Sequence, residues 1–443
     1  MHGTFPSAEP RQHPMHVGGL HVYEPPAGAG PEFVRELYDK LLTKTDADPT
    51  FRKHPREVMG GLSQLTWAID PDLDLEYHLR HSALPHPGQV RQLLELVSRL
   101  HATLLDRHRP LWEMHLVEGL DDGRFAVYAK THHALMDGVS QILSLRRALT
   151  TDPDDHDPRA YWAPHEPAPK KSLLDIVKKG AESLAALGPG TFNLARKGIL
   201  QQKLTSPFEA PRTMFNVPIG GARRFAAQSW PFERFRAVKK AAGVTINDVV
   251  LAVCGGALRA YLIEQDALPA KPLIAMVPVS LREGESTGGN EVGSLLANLG
   301  TDLTDPAERL RVVHTSMKDN KEVFKSLPEV QQMALSAYNS MPMMLELIPV
   351  LKTAARPPFN IVISNVPGDR NRLYWGGAEL VGNYPMSIVL DGQALNITLT
   401  NTADRIDFGV VGCRSSVPHL QRLLVHLEDS LSDLERAVGQ TTS

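Results

Sequence analysis

The sequence predicts an α/β protein made of two related lobes, and three observations carry that prediction. The chain has 443 residues, room for two units at roughly 100–200 residues per domain. Helical and strand-like apolar periodicities alternate in both halves. Between the halves runs an aperiodic stretch near 151–172, with Asp152, Pro153, Asp154, Asp155 and Pro158 followed by Pro164, Pro167 and Pro169, which reads as linker. A second break falls at Gly188-Pro189-Gly190. The expected organisation is an N-terminal lobe over 1–160, a connecting segment over 161–215 and a C-terminal lobe over 216–443.

Taken in order, Phe33, Leu37 and Leu41 recur at helical spacing. Leu73, Leu75, Tyr77 and Leu79 alternate with Asp74, Glu76, His78 and Arg80, predicting a half-buried strand. Leu93, Val97, Leu100 and Leu104 form a second helical stripe. Trp112, Met114 and Leu116 alternate before Asp121-Asp122-Gly123, and Phe125, Val127 and Ala129 alternate after it, predicting a hairpin. In the second half Val250, Cys254, Ala257, Leu258 and Tyr261 share one helix face, and Thr245 with Asp248 is placed as a capping box at its start. Leu273–Val279 and Phe359–Ile363 read as short apolar strands. Met386–Leu390 and Ala394–Leu399 flank Asp391-Gly392 as a hairpin, and Leu420, Leu424, Leu427, Leu431 and Leu434 close the chain as an amphipathic helix.

Composition narrows the function. With 47 basic and 50 acidic residues the net charge is −3, so there is no global basic field for nucleic acid. Two cysteines, Cys254 and Cys413, make no disulfide framework and fit a reducing cytoplasm. The first residues lack the apolar run of a secretory peptide, and no stretch reads as the roughly 18 apolar residues of a membrane span. A lipid substrate would therefore be met at a surface. The connecting segment interleaves Lys170, Lys171, Lys178, Lys179, Arg196, Lys197 and Lys203 with Leu173, Leu174, Ile176, Val177, Leu184 and Leu187. That pattern suits either a helix lying on an anionic lipid surface or a solvated helix packed across the lobes.

The segment with chemistry in it is Thr131-His132-His133-Ala134-Leu135-Met136-Asp137-Gly138, where a predicted strand gives way to a helix. Adjacent strand side chains leave on opposite faces, so one histidine faces a cleft while the other packs. A neutral imidazole titrates near working pH and can take a proton from an alcohol. A purely structural histidine pair and a two-His-plus-Asp metal site are the other readings, the latter without HExxH spacing or paired cysteines in support. No Gly-x-Ser-x-Gly nucleophile is present, since Gly293-Ser294 lacks the following glycine. Gly255-Gly256 sits in a helical pattern and makes no phosphate loop.

Several segments together resemble the bacterial wax ester synthase/diacylglycerol acyltransferase family over nearly the whole chain. They are Pro14-Met15-His16-Val17-Gly18-Gly19-Leu20, Tyr77 to Pro85, Pro110-Leu111-Trp112-Glu113, the HHxxxDG run itself, Asn247 to Leu251, Pro278 to Arg282 and Ile363 to Gly368. HHxxxDG alone is shared with peptide-synthetase condensation domains and other CoA-dependent acyltransferases.

The resemblance implies two chloramphenicol-acetyltransferase-like lobes, with mixed sheets flanked by helices and a tunnel between them. It implies acyl-CoA as co-substrate, no cofactor, and a fatty alcohol or diacylglycerol as acceptor. His133 would be the general base and His132 the lesser candidate. Asp137 would pair structurally with an arginine of the other lobe, Arg282 being the candidate, and Gly138 would relieve the turn into the helix. Asn247 would either stabilise the oxyanion or cap its helix, and Trp112 would line the acyl tunnel or fill the core. Asn290, Gly293 and Asn298 would lie in a polar loop bordering the CoA channel or on the plain surface. A cytoplasmic protein touching the inner membrane or lipid inclusions is the expected setting, with room for a homodimer. Two departures stand out: Thr4–Arg11 lacks the family's usual opening segment, and Pro367-Gly368-Asp369 replaces Pro-Gly-Pro. The competing functions are another HHxxxDG condensing enzyme and a non-catalytic lipid-droplet protein.

Overall fold

The computed structural model describes residues 9–57, 65–136, 138–164, 209–280, 292–326, 332 and 357–441. Asp137, Arg282, Asn290 and all of the connecting segment's basic residues named above lie outside them. Two six-stranded mixed sheets organise the chain. The first holds β1 (His16–Glu24), β4 (Leu79–Ala83), β5 (Trp112–Glu118), β6 (Phe125–His132), β11 (Tyr374–Trp375) and β12 (Ala378–Met386), in the order β11-β12-β1-β6-β5-β4. The second holds β7 (Arg223–Pro231), β8 (Ile274–Ser280), β9 (Val292–Asn298), β10 (Ile361–Asp369), β13 (Leu395–Thr402) and β14 (Arg405–Cys413), in the order β7-β14-β13-β10-β8-β9. A separate hairpin pairs β2 (Lys53–Glu57) with β3 (Leu65–Ile69). Among the described residues the α-helices are α1 (Phe33–Leu42), the single turn α2 (Leu75–His78), α3 (Val90–Ala102), α4 (Gly138–Ala148), α5 (Phe232–Ala242), α6 (Ile246–Glu264), α7 (Pro306–Ser326) and α8 (Arg422–Thr441).

The predicted helices at α1, α3, α6 and α8 and the β5–β6 hairpin are present. At the start of α6, Thr245 Oγ1 accepts the Asp248 N–H while the Asp248 carboxylate accepts the Thr245 N–H, a complete capping box. Two segments depart from expectation. The alternation from Leu73 to Leu79 predicted a strand, but the Asp74 carboxylate accepts the Tyr77 N–H at 3.1 Å and nucleates the turn α2, leaving only β4 extended. Asp391-Gly392 does turn the chain, yet the flanking strands do not pair with each other. Asp391 Oδ1 accepts the Ile219 N–H at 2.9 Å and the Gly392 N–H donates to Val217 at 3.0 Å, so the turn is anchored on the 215–220 stretch. β12 runs away to β1, and β13 lies between β10 and β14. A third correction concerns α6, whose 19 residues are long and apolar enough to span a membrane. It is mostly buried among α5, α7 and α8, as a core helix.

The sheets do not divide where the sequence breaks do. β11 and β12 come from the C-terminal part of the chain but complete the first sheet, with β12 antiparallel along β1. One buried cluster accordingly spans both lobes and joins Leu93 and Val97 of α3, Ala126 and Tyr128 of β6, and Phe225 and Ala226 of β7. The other face of β6 offers Phe125, Val127 and Ala129 to a second cluster with Leu37, Leu41, Trp112 and Trp375. β6 is thus covered on both sides, and all eight of its residues are buried.

Where the sheets meet, Gly409 of β14 lies so close to β12 that a Cβ would stand 1.9 Å from the Pro385 carbonyl oxygen. A polar seam runs beside it. Asp407 accepts the Asn383 N–H at 2.9 Å and the Ser229 hydroxyl at 2.5 Å, and Asn383 Oδ1 meets His21 Nδ1 at 3.1 Å. Burial pushes Asp407 up to about 6, against the pull of the Ser229 and Asn383 hydrogen bonds. The folded state therefore binds this proton more tightly than the unfolded chain. Its stabilising effect is complete below the ordinary carboxylate range and is lost as pH rises through about 6. Chemical unfolding of wild type and Asp407→Asn at pH 4 and pH 7.5 should show the wild type losing about 2 kcal/mol relative to the variant as pH rises. An unchanged difference would refute the assignment.

Candidate active site

The candidate site is built on the end of β6. The strand is central in the first sheet, with Thr131 opposite Val17 of β1 and Trp112 of β5, and His132 opposite His16. The chain then turns tightly. The N–H groups of Leu135 and Met136 donate to the His132 carbonyl at 2.9 and 3.2 Å, and the His133 N–H donates to the Met15 carbonyl at 2.8 Å. α4 starts at Gly138.

The two histidines part company here. His132 is buried at 5 % exposure and its Nδ1 accepts the Ala134 N–H at 3.1 Å. That bond requires an unprotonated Nδ1, so in the neutral ring the proton sits on Nε2, which faces Glu9 Oε2 at 3.5 Å. Glu9 also accepts the Met15 N–H, so one carboxylate holds both the approach to β1 and the buried imidazole. These contacts tie the His132 ring to the turn and to the approach of β1. His133, one residue on, is exposed.

Beneath the turn lies a polar network that the sequence reading passed over. Lys130 is fully enclosed. Its ammonium donates to the carbonyls of Leu100 and Thr103 at the C-terminal end of α3 and lies 3.3 Å from Glu113 Oε2. A cation there meets the negative end of the helix dipole. Burial pulls Lys130 below its ordinary range, opposed by Glu113. Burial would raise Glu113, but the His115 hydrogen bond and the charges of Lys130 and Arg80 outweigh it and hold the carboxyl at about 2. Behind them, His16 Nε2 donates to the His101 carbonyl at 2.8 Å and His101 Nδ1 meets the Tyr128 hydroxyl at 2.9 Å. Burial drives His16 well below its ordinary value and His101 down to about 3, so both stay neutral beside Lys130. The signal for this network was present in Pro-x-His and Pro-Leu-Trp-Glu, whose polar residues are the members of it.

The remaining predicted residues fall as follows. Trp112 is a core residue, 1 % exposed. Its Nε1 donates to the Phe51 carbonyl at 2.8 Å, and its ring stacks with His78 and Trp162 at 4.6 and 5.4 Å, leaving no free face for an acyl chain. Gly293 is not in a loop. It lies in β9 opposite Val279 and is buried. Asn298 ends the same strand, and its Oδ1 accepts the Gly300 N–H at 2.8 Å. Asn247 is in the first turn of α6 and half-buried. Because Thr245 and Asp248 cap that helix, Asn247 is not its cap. A cavity of about 550 Å³ opens in the first lobe between Lys44, Phe51, Ser144, Arg147 and Tyr161. None of its walls is a motif residue, although Ser144 and Tyr161 each reach the Met136 sulfur at 3.7 Å.

Two mixed-sheet lobes, with the histidine pair turning off the end of a central strand, are the arrangement that the resemblance to HHxxxDG acyltransferases implies. Comparison narrows it. The model of the wax ester synthase/diacylglycerol acyltransferase catalytic domain matches residues 2–250, and that of the family's C-terminal domain matches 288–435. The chain is 58% identical over 439 residues to a probable diacylglycerol O-acyltransferase of Mycobacterium tuberculosis, covering 97% of each. It is 40% identical to the O-acyltransferase WSD of Acinetobacter baylyi, covering 98% of this chain and 96% of the relative. Among solved structures, the wax ester synthase/diacylglycerol acyltransferase of Marinobacter aquaeolei VT8 superposes with a TM-score of 0.77 at 43% identity, covering 97% of this chain and 96% of that one. The starter condensation domain of rhizomide synthetase shares the fold, with a TM-score of 0.56 at 14% identity over 96% of this chain and 89% of that one. The chain belongs to the wax ester synthase/diacylglycerol acyltransferase family and is an O-acyltransferase.

The buried charges make a prediction of their own. Glu113→Gln strands the Lys130 ammonium and should lower unfolding stability by about 3 kcal/mol. Adding Lys130→Met should recover part of the loss. Equal, additive losses in a double-mutant cycle would show that the two side chains are not coupled.

Proposed function

We propose that the protein moves a fatty acyl group from acyl-CoA to the hydroxyl of a long-chain alcohol or a diacylglycerol, with His133 as general base. The observation that carries this reading is the difference in burial within the histidine pair. His132 is buried, whereas His133 is exposed, on a turn whose backbone is pinned to Met15. The names of the relatives supply the substrates.

In the reaction, the His133 imidazole removes the hydroxyl proton as the alcohol oxygen bonds to the thioester carbonyl carbon. The tetrahedral oxyanion collapses by breaking the C–S bond. The imidazolium returns its proton to the CoA thiolate, and ester and free thiol leave. No acyl-enzyme is needed, because both substrates can meet in one site. Asn247 supports the oxyanion in this scheme. It sits where the N-terminal dipole of α6 favours negative charge, and the capping duty that would occupy it belongs to Thr245. Asp137 and Arg282 are kept as a proposed structural pair. Long-chain alcohols and diacylglycerols reside in lipid, so the enzyme would work at a membrane or inclusion surface. The basic, apolar-interleaved segment Lys170–Lys203 supports that placement.

Thiol release from palmitoyl-CoA, measured with hexadecanol and with a diacylglycerol, tests the reading. Alcohol-dependent release should fall at least ~100-fold in His133→Ala. The faster acceptor identifies the main product. Release that survives the substitution would exclude His133 as the base. In the same assay Asn247→Ala should lower kcat by ~10-fold or more with KM little changed. A pure rise in KM would instead assign Asn247 to substrate binding.

A further inference from the structure

One ion pair ties the helix that follows the HHxxxDG turn to the opposite lobe. Arg146 lies in the C-terminal half of α4, and its Nε donates to Oδ2 of Asp369, the last residue of β10 in the second sheet. Asp369 is also the point at which this sequence departs from the Pro-Gly-Pro expected after Asn365-Val366. We propose that Arg146 and Asp369 are a positioning pair, a clasp between the lobes that sets α4, and through it the turn bearing His133, against the second lobe.

Both ends are held before they meet. The Gly368 N–H donates to Asn401 Oδ1 at 2.9 Å, and a Cβ on Gly368 would stand 1.9 Å from the Asn401 carbonyl oxygen, so the backbone before Asp369 is pressed onto β13. The Ala403 N–H donates to the Asp369 carbonyl at 2.9 Å, and Asp369 Oδ1 accepts the Asn371 N–H at 2.8 Å. The carboxylate is therefore delivered from a fixed place with one oxygen left for Arg146. Burial works against its charge, but the Asn371 N–H and Arg146 outweigh that and keep the carboxyl below its ordinary range. On the other side, the Thr150 and Tyr374 backbones exchange two hydrogen bonds of 2.9 and 2.8 Å just past the end of α4. Those bonds fix the C-terminal end of the helix to Tyr374, the first residue of β11 at the edge of the first sheet. The clasp and this bridge are two attachments on one helix, whose other end is the catalytic turn. Arg146 keeps 40 % of its side-chain surface exposed and Asp369 19 %, so solvent screens the pair and its weight in global stability is small. Its effect lies in orientation, where a displacement of about 1 Å changes rate steeply.

The inference rests on the proposed role of His133 for its kinetic consequence, and the test separates the two. Arg146→Gln and Asp369→Asn should each lower kcat by ~10-fold, with KM for palmitoyl-CoA within about twofold of wild type and Tm within about 2 °C. The charge-reversed double variant, Arg146→Glu with Asp369→Arg, should recover most of the lost kcat. Asp369→Glu, which keeps the charge, should stay near wild type. Independently of turnover, amide hydrogen exchange over 138–148 should accelerate in both single variants and not elsewhere in the first sheet. If exchange over α4 is unchanged, the clasp is refuted whatever the activity. If exchange accelerates while kcat holds, or if kcat and Tm fall together without rescue by charge reversal, the positioning role is refuted and the pair is merely structural.

Discussion

Seven residues of β12 lie antiparallel along β1, from Gly18 against Met386 to Glu24 against Glu379, and the other features of the molecule follow from that pairing. β1 has β6 on its other side, so closing its free edge makes β6 part of a continuous sheet covered on both faces. It also brings the second sheet so near that Gly409 meets the Pro385 carbonyl. The same approach brings the polar edges of β12 and β14 together, and their groups satisfy one another through Asn383, Ser229 and Asp407. A lobe lacking β12 would leave an unpaired strand edge beside its histidine turn.

The histidine turn rests on a contradiction resolved by hydrogen bonds. Beneath it are a lysine, a glutamate and several histidines, all withdrawn from water. Such groups are costly to bury unless each finds partners. Here Lys130 takes two helix-end carbonyls and Glu113, His115 takes Glu113, and His132 is held between Glu9 and Ala134. Directional bonds of this kind fix positions in a way that apolar packing does not. The exposed imidazole that follows them in sequence stands on a rigid base.

Much of this was legible in the sequence, and the illegible parts share a cause. The 3.6-residue stripes of α3, α6 and α8 and the alternation of β5 and β6 are local patterns, and they predicted local structure. The histidine turn was legible too, because strand alternation alone separates His132 from His133. Long-range choices were not legible. Nothing near Met386–Leu390 tells that β12 pairs with β1, more than 350 residues away, instead of folding back on β13. Trp112 read better as core than as tunnel wall, but its partners were not legible, because Phe51, His78 and Trp162 arrive from three other segments. Gly293 resembled a loop residue because the strand opposite it, β8, is what gives β9 its form. Asp74 offers the reverse lesson: one capping carboxylate overrode an alternating pattern.

The borrowed strand also orders events in time. A ribosome delivers β1, β5 and β6 long before residues 378–386, so the nascent first lobe must wait with one side of β1 unpaired. Pairings this distant in sequence are slow to form, because loop closure is paid before contact is gained. Through that interval the open edge is a template for any other extended chain, and the most vulnerable species in the protein's life is the half-synthesised one. The last quarter of the polypeptide is thus what closes the edge that the first quarter leaves open.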